Sequence, residues 1–265
     1  MPLELPGPDE TRLSHSPLVL SLAQIRLGEP APLSEGKNAL AIHQGLGGRT
    51  GGYPKLERSV TQAIAVQMVE NAVQPAVMPP QQGWRMSSAD GAWTVHLMAD
   101  VITLETTAYS TWEGDFRDRF LRLLSIVHHH VPLSLEQRLG LRYVNRITEP
   151  PIKHPHEWRE YIVPELLGPA LDERLRSAIR ATQQQIDLDV GNGASCNMRH
   201  GFFFDAERGN VPTYLLDYDI YREGLRPFDL NEVMETIDGF HRLVLQLFQA
   251  SITQQMYDFL RSGND

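Results

Sequence analysis

Two Asp-x-Asp pairs, Asp187 with Asp189 and Asp217 with Asp219, set carboxylates two residues apart within runs that alternate with apolar side chains. Residues i and i+2 of a strand share a face, so each pair presents two carboxylates side by side. Such a pair can hold a hard divalent ion such as Mg2+, or divide into a general acid and a general base. The stretch "RLGLRYVNRI" (138–147) supplies a partner motif. Read as a strand, it puts Arg142 and Arg146 on one face, a fork for a carboxylate or phosphate. Tyr143 and Asn145 fall on the other face, among Leu139, Leu141 and Ile147. Arg142, Tyr143, Asn145 and Arg146 are therefore the candidate ligand-binding residues. The plainer reading makes the aspartates the solvated or ion-paired side of a half-buried antiparallel sheet. The arginines then pair with carboxylates on neighbouring strands, Glu105 for instance, or with the Asp pairs themselves.

"SIVHHHVP" (125–132) raises the question of a metal. Successive helical residues turn by about 100°, so three consecutive imidazoles fan apart, and chelation from one helix needs i, i+4 spacing. His128 and His130 could share a side only if the helix ends before them, and no cysteine or carboxylate stands nearby to complete a ligand set. A helix C-terminus is the simpler role, since Pro132 disfavours helix at Val131 and imidazoles suit the negative end of the dipole. "GASCN" (193–197) resembles half of a nucleophile elbow, and Ser195, Asp217 and His241 follow hydrolase order. Asn197 stands where the second glycine belongs, and a meander is the wrong context. The glycines of "GLGGRTGGYP" (45–54) lack the Lys-Ser/Thr of a phosphate loop. No cofactor is implied.

The elements that must carry these residues read as α+β. "PLVLSLAQIRL" (17–27) is a strand by its mixture of β-branched and alternating polar residues. Helix is expected over 36–44 and 55–64, on either side of the glycine loop, and a Pro-punctuated connection over 74–83. Three short runs between 84 and 109 form a β-meander. A helix over 113–130 aligns Phe116, Phe120, Leu123, Leu124 and Val127 on one face. Strands follow at 138–147, 175–190, 195–204 and 213–223, and helix over 230–260. The organisation expected is a flexible arm (1–12) and two pseudo-repeated halves, 13–150 and 151–265, forming one compact unit. Each half is an antiparallel meander followed by a helix, with the sheets covered by helices on one face. Turns this short exclude a doubly wound parallel fold.

The chain has 265 residues, 42% hydrophobic and 22% charged, with a net charge of −9. The acidic balance argues against general nucleic-acid binding. The lone Cys196 forms no intrachain disulfide and suits a reducing compartment, so a cytoplasmic location is expected. "MPLELPGPDETRL" has no positive leader or apolar stretch, and no run is long enough to span a membrane.

"RLGLRYVNRI" resembles the most characteristic segment of a sporadically distributed prokaryotic protein family with no assigned activity. "PLVLSLAQIRL", "ITLETTAY", "LLDYDIY" and "FHRLVLQLFQASIT" are similar to its other segments, in chain order. Some members carry acids in the first strand, where this chain has Leu20 and Gln24. The resemblance implies one fold across nearly the whole chain, and its patchy distribution an accessory or defence-linked role. The expectation is thus a non-enzymatic binding, adaptor or regulatory protein with a protein partner or small ligand. The helical stripe Val233, Ile237, Phe240, Val244, Leu247, Phe248 and Ile252 is either core or a homodimer face. The alternative is a metal-assisted hydrolase or phosphoesterase-like enzyme using the Asp pairs and the Arg fork.

Overall fold

The computed structural model describes residues 3–61, 64–69, 72–77, 81–149, 152, 154–206 and 209–262. Its elements in chain order are β1 (Leu18–Leu27), α1 (Gly36–Gly45), β2 (Lys55–Thr61), β3 (Ile64–Val69), β4 (Ala72–Val77), β5 (Gln81–Ser87), β6 (Trp93–Leu97), β7 (Val101–Thr106) and α2 (Arg117–His130). They continue with β8 (Leu135–Ile147), α3 (Pro164–Leu167), β9 (Gln184–Gly191), β10 (Ala194–Asp205), β11 (Val211–Pro227), α4 (Leu230–Ser251) and α5 (Gln254–Arg261). Nine strands form one sheet in the order β2-β5-β6-β7-β1-β8-β11-β10-β9, and β3 with β4 forms a separate two-stranded sheet. Every described strand pair is antiparallel, which gives the α+β class its form. No helix is long and apolar enough to cross a membrane among the described residues.

β8 runs through the middle of the sheet, with Tyr143 opposite Ser21 of β1 on one side and Tyr218 of β11 on the other. Its alternation holds as expected: Leu139, Leu141, Tyr143, Asn145 and Ile147 are all buried. Over this face lies α4, started by Asp229, whose carboxylate accepts from Asn231 N (2.8 Å) and Glu232 N (3.0 Å). Val233, Ile237, Phe240, Val244, Leu247 and Phe248 of α4 are buried within the chain, which accounts for the apolar stripe without a second protomer. Beside α4, α2 buries Phe120, Leu123, Leu124 and Val127. Ahead of α2 the chain makes one wide turn, Trp112–Phe116, in which Gly114 takes a φ of +77° that a side chain would resist. That turn fixes the bulky Trp112 beside α4. A buried ion pair ties the same layers together at the other end: Arg222 of β11 grips Glu136 of β8 (2.9 and 3.1 Å) and reaches Glu232 and Thr236 of α4.

Four local expectations change. Residues 55–61 are strand β2, not helix. Pairing with β5 along Lys55–Thr61 overrides a short segment's own preference. The connection expected over 74–83 is largely strand, β4 and β5, while 78–80 lie outside the described residues. Pro75 falls on β4, an edge strand, where the lack of an N–H is tolerated. The strand expected from 175 begins only at Gln184. Asp172 captures Arg174 N (2.8 Å), and backbone turns run on to Ile179. The long C-terminal helix breaks at Ile252, which is extended and bridges to Ile162. Thr253 then caps α5 by accepting from Met256 N (3.2 Å).

Gly201 on β10 adopts φ +151°, and a Cβ there would run into the carbonyl oxygen of Thr182. Gly201→Ala should therefore lower stability by about 1–3 kcal/mol through overpacking and backbone strain. Urea denaturation measures it, and an unchanged midpoint would show that the segment before β9 simply moves aside.

Candidate functional site

The four ligand-binding candidates on β8 separate onto the two faces of the sheet. On the face turned away from α4, Arg142 makes a bidentate pair with Asp217 (2.8 and 2.7 Å), and Arg199 of β10 reaches the same carboxylate at 3.2 Å. Arg138 pairs with Asp219 at 3.0 Å, and Arg146 with Asp205 at 3.4 Å. Of the fork, only Arg142 engages the Asp217/Asp219 pair; Arg138 takes Asp219, and Arg146 reaches past β11 to Asp205 of β10. The side chains of Arg142 and Arg199 leave little of Asp217 to solvent: it is 3% exposed, the ion-paired form of the solvated or ion-paired face expected from the sequence. Asp187 accepts from Asn197, Asp189 closes a turn onto Gly191 N (2.9 Å), and Glu105 pairs with His96 rather than with either arginine.

The other face builds a cavity of about 770 Å³ between β8, the turn at 109–113, α4 and the N-terminal segment 9–18. Tyr143 and Asn145 line it from the sheet. From α4 come Asp238, His241 and Leu245, at i, i+3 and i+7 on one helix face, and from the turn Tyr109 and Trp112. Trp112 stacks on His241 with centroids 4.3 Å apart and planes 5° from parallel. Its indole N–H donates to Asp238 Oδ1 (2.8 Å), and Arg117 closes on both oxygens of that carboxylate (2.8 and 2.9 Å). Tyr109 meets the Tyr143 ring edge-on at 5.6 Å. The N-terminal segment is held over the cavity by Asp9, which bonds Gln249 and Arg261, and by His15, which stacks on Phe259.

Tyr143 Oη lies 3.0 Å from His241 Nδ1, and both residues are more than nine-tenths buried. Burial drives the Tyr143 phenol well above its ordinary range and pulls His241 down to about 4, so both are neutral near pH 7. Asn145, also buried, donates Nδ2 to Leu216 O at 3.3 Å. Ser21 Oγ, on β1 opposite Tyr143, is buried without a hydrogen-bond partner among the described residues.

His128 and His130 are not brought together with further candidate metal ligands among the described residues. His128 Nδ1 accepts from Leu133 N (3.1 Å), closing the end of α2, and its ring packs on Phe228. Among the described residues no cluster of three or more His, Cys, Asp or Glu is placed to hold a metal. Ser195 and Asp217 lie on one sheet face and His241 on the helix above the other, so the hydrolase order has no geometric counterpart. Cys196 is buried, which pushes its thiol up to about 12. Compared with known protein families, with curated proteins and with solved structures, the chain matches none.

Tyr143 and Asn145, candidates from the sequence, line the cavity; Trp112, Asp238 and Arg117, which also line it, were not singled out from the sequence. The legible signal was His241, a polar residue standing within the apolar stripe of α4, between Ile237 and Val244.

Two predictions follow from these two polar sites. Asp217→Asn leaves Arg142 and Arg199 without their counter-charge. With each arginine about a third exposed, stability should fall by about 2–3 kcal/mol. Asp189→Asn, exposed and able to keep its turn, should change it by less than about 0.5 kcal/mol. Equal effects in urea denaturation would contradict the ion-pair assignment. For His241, the unfolded ring protonates near 6.5 while the folded ring resists to about 4. Its contribution is therefore complete above pH 6.5 and erodes as pH falls towards 4, by about 2 kcal/mol between pH 7 and pH 5. Wild type should lose that much more stability than His241→Phe over the same interval, and parallel pH profiles would refute the burial of a neutral ring.

Proposed function

We propose that the protein is a non-enzymatic binding protein that takes a small organic ligand in the cavity between β8, the 109–113 turn and α4. The observation that carries this reading is the concentration of buried polar side chains, Tyr143, Asn145 and His241, along one aromatic-walled cavity of about 770 Å³. Sites for small molecules are concave and set a few placed polar groups among aromatic and apolar walls. Nothing comparable favours the metal-assisted hydrolase, since Arg142 and Arg199 already occupy Asp217.

The adaptor role is part of the same proposal: an occupied cavity would steady the N-terminal segment that roofs it, and a protein partner would read that surface. We also take the chain as a duplicated unit with its helices on one sheet face. The strand order supports this, running inward as β5-β6-β7-β1 from one side and β9-β10-β11-β8 from the other. A helix follows each three-strand run, α2 after β7 and α4 after β11.

The test uses N-phenyl-1-naphthylamine, a neutral aromatic dye that brightens in dry cavities. It should bind once per chain, with energy transfer from the tryptophans that is diminished in Trp112→Phe. Leu245→Trp, which fills the cavity from α4, should abolish binding while the circular dichroism spectrum is kept. A dye signal that persists at full strength in Leu245→Trp would sink the proposal.

A further inference from the structure

We infer that the ligand's buried part is an uncharged, planar heteroaromatic group that both accepts and donates a hydrogen bond, an amide-bearing ring being the simplest chemistry. This rests on the cavity reading above and narrows it to a class.

The charges come first. Inside the cavity the formally charged groups are Asp238 and Arg117, and these are closed on each other through two hydrogen bonds, with Trp112 adding a third to the carboxylate. The residues with unmatched charge among the described residues that line the cavity are Arg12, Arg242, Glu10 and Glu113, all exposed and of both signs. A carboxylate or ammonium taken to the floor would lose its water with no counter-charge to meet it, which is costly. An uncharged group loses far less.

The hydrogen-bonding pattern follows from the neighbours. A buried phenol O–H finds an acceptor, and Tyr143 has His241 Nδ1 at 3.0 Å, with Tyr109 and Ser21 beside the same phenol. With the phenol donating to Nδ1, the neutral imidazole carries its proton on Nε2, and in that tautomer His241 offers one N–H donor. Asn145 is fixed in the same way. Leu216 O can only accept, so the amide nitrogen faces it and Oδ1 is left as an acceptor. The floor therefore offers one donor and one acceptor without charge. Around them Tyr109, Trp112, Tyr143 and Phe248 supply aromatic walls, against which a planar ring gains more than an aliphatic chain of equal size.

Nicotinamide and nicotinate share a ring and differ in the group that matters: the amide accepts and donates, whereas the carboxylate is charged and only accepts. Each is titrated against the dye-loaded protein and by calorimetry at pH 7.5. Nicotinamide should displace the dye at least about tenfold more effectively than nicotinate. His241→Phe, which keeps the stack on Trp112, should lose about tenfold in nicotinamide affinity while dye binding is unchanged. Asn145→Leu should do the same, and dye binding verifies in each that the cavity is intact. Nicotinate binding as well as nicotinamide, or the two variants binding nicotinamide like wild type, would overturn the class and leave the cavity reading standing. Dye binding with no displacement by either compound would overturn it equally. Failure of the dye itself to bind would remove both.

Discussion

Strand β8 is paired on both sides, with β1 and with β11, and its register decides what each face of the sheet carries. Side chains alternate with a period of two, so a slip of one residue would turn Arg142 and Arg146 into the core and expose Leu141 and Tyr143. The register is held by several independent constraints. Tyr143 and Tyr218 face each other beneath α4, Arg142 opposes Asp219 on the other side, and Glu136 meets Arg222 in the buried layer. Neighbouring strands inherit their alignment from this centre. The ion pairs of Asp217 and the cavity under α4 both depend on it.

The two faces solve the burial of polar groups in opposite ways. Away from α4 the sheet uses full charges, and Asp217, Asp219 and Asp205 are each matched by a guanidinium from a neighbouring part of the sheet. Water still reaches about a third of Arg142, Arg146 and Arg199, which lightens the desolvation cost. Under α4 the polar groups are neutral. Burial keeps the Tyr143 phenol protonated and the His241 imidazole unprotonated, and each finds its partner in the other. One face is thereby largely ion-paired, and the other retains hydrogen-bonding capacity inside a part-open cavity. That asymmetry is the physical reason the proposed binding site lies beneath α4.

The cavity is assembled from parts far apart in the chain. Its roof comes from residues 9–18, its side wall from the turn at 109–113, its floor from β8 and its opposite wall from α4. Gly114 lets the turn present Trp112 to His241, and the Arg117–Asp238 pair locks that turn to α4. The ends of the chain meet here too, through Asp9 with Arg261 and Gln246 with the carbonyl of Pro6.

The sequence by itself determined the elements whose periodicity is strong. It set the alternation of β8, the meander of β5 to β7, the apolar stripes of α2 and α4, and the place of Asn145 on the apolar face beside Tyr143. Patterns of two and of three to four residues report which side of an element is apolar, and that needs no knowledge of neighbours. Short segments such as 55–61 and 74–77 escaped it, because their conformation is decided by the strand they pair with. The partners of polar residues were also beyond its reach. Alternation placed Asp217 on the polar face, and only the proximity of Arg142 and Arg199 made it a buried anchor. His241 was visible as a polar residue in an apolar stripe. Its neutrality, its bond to Tyr143 and its stack on Trp112 came from tertiary structure, because each depends on desolvation and on contacts more than ninety residues apart along the chain.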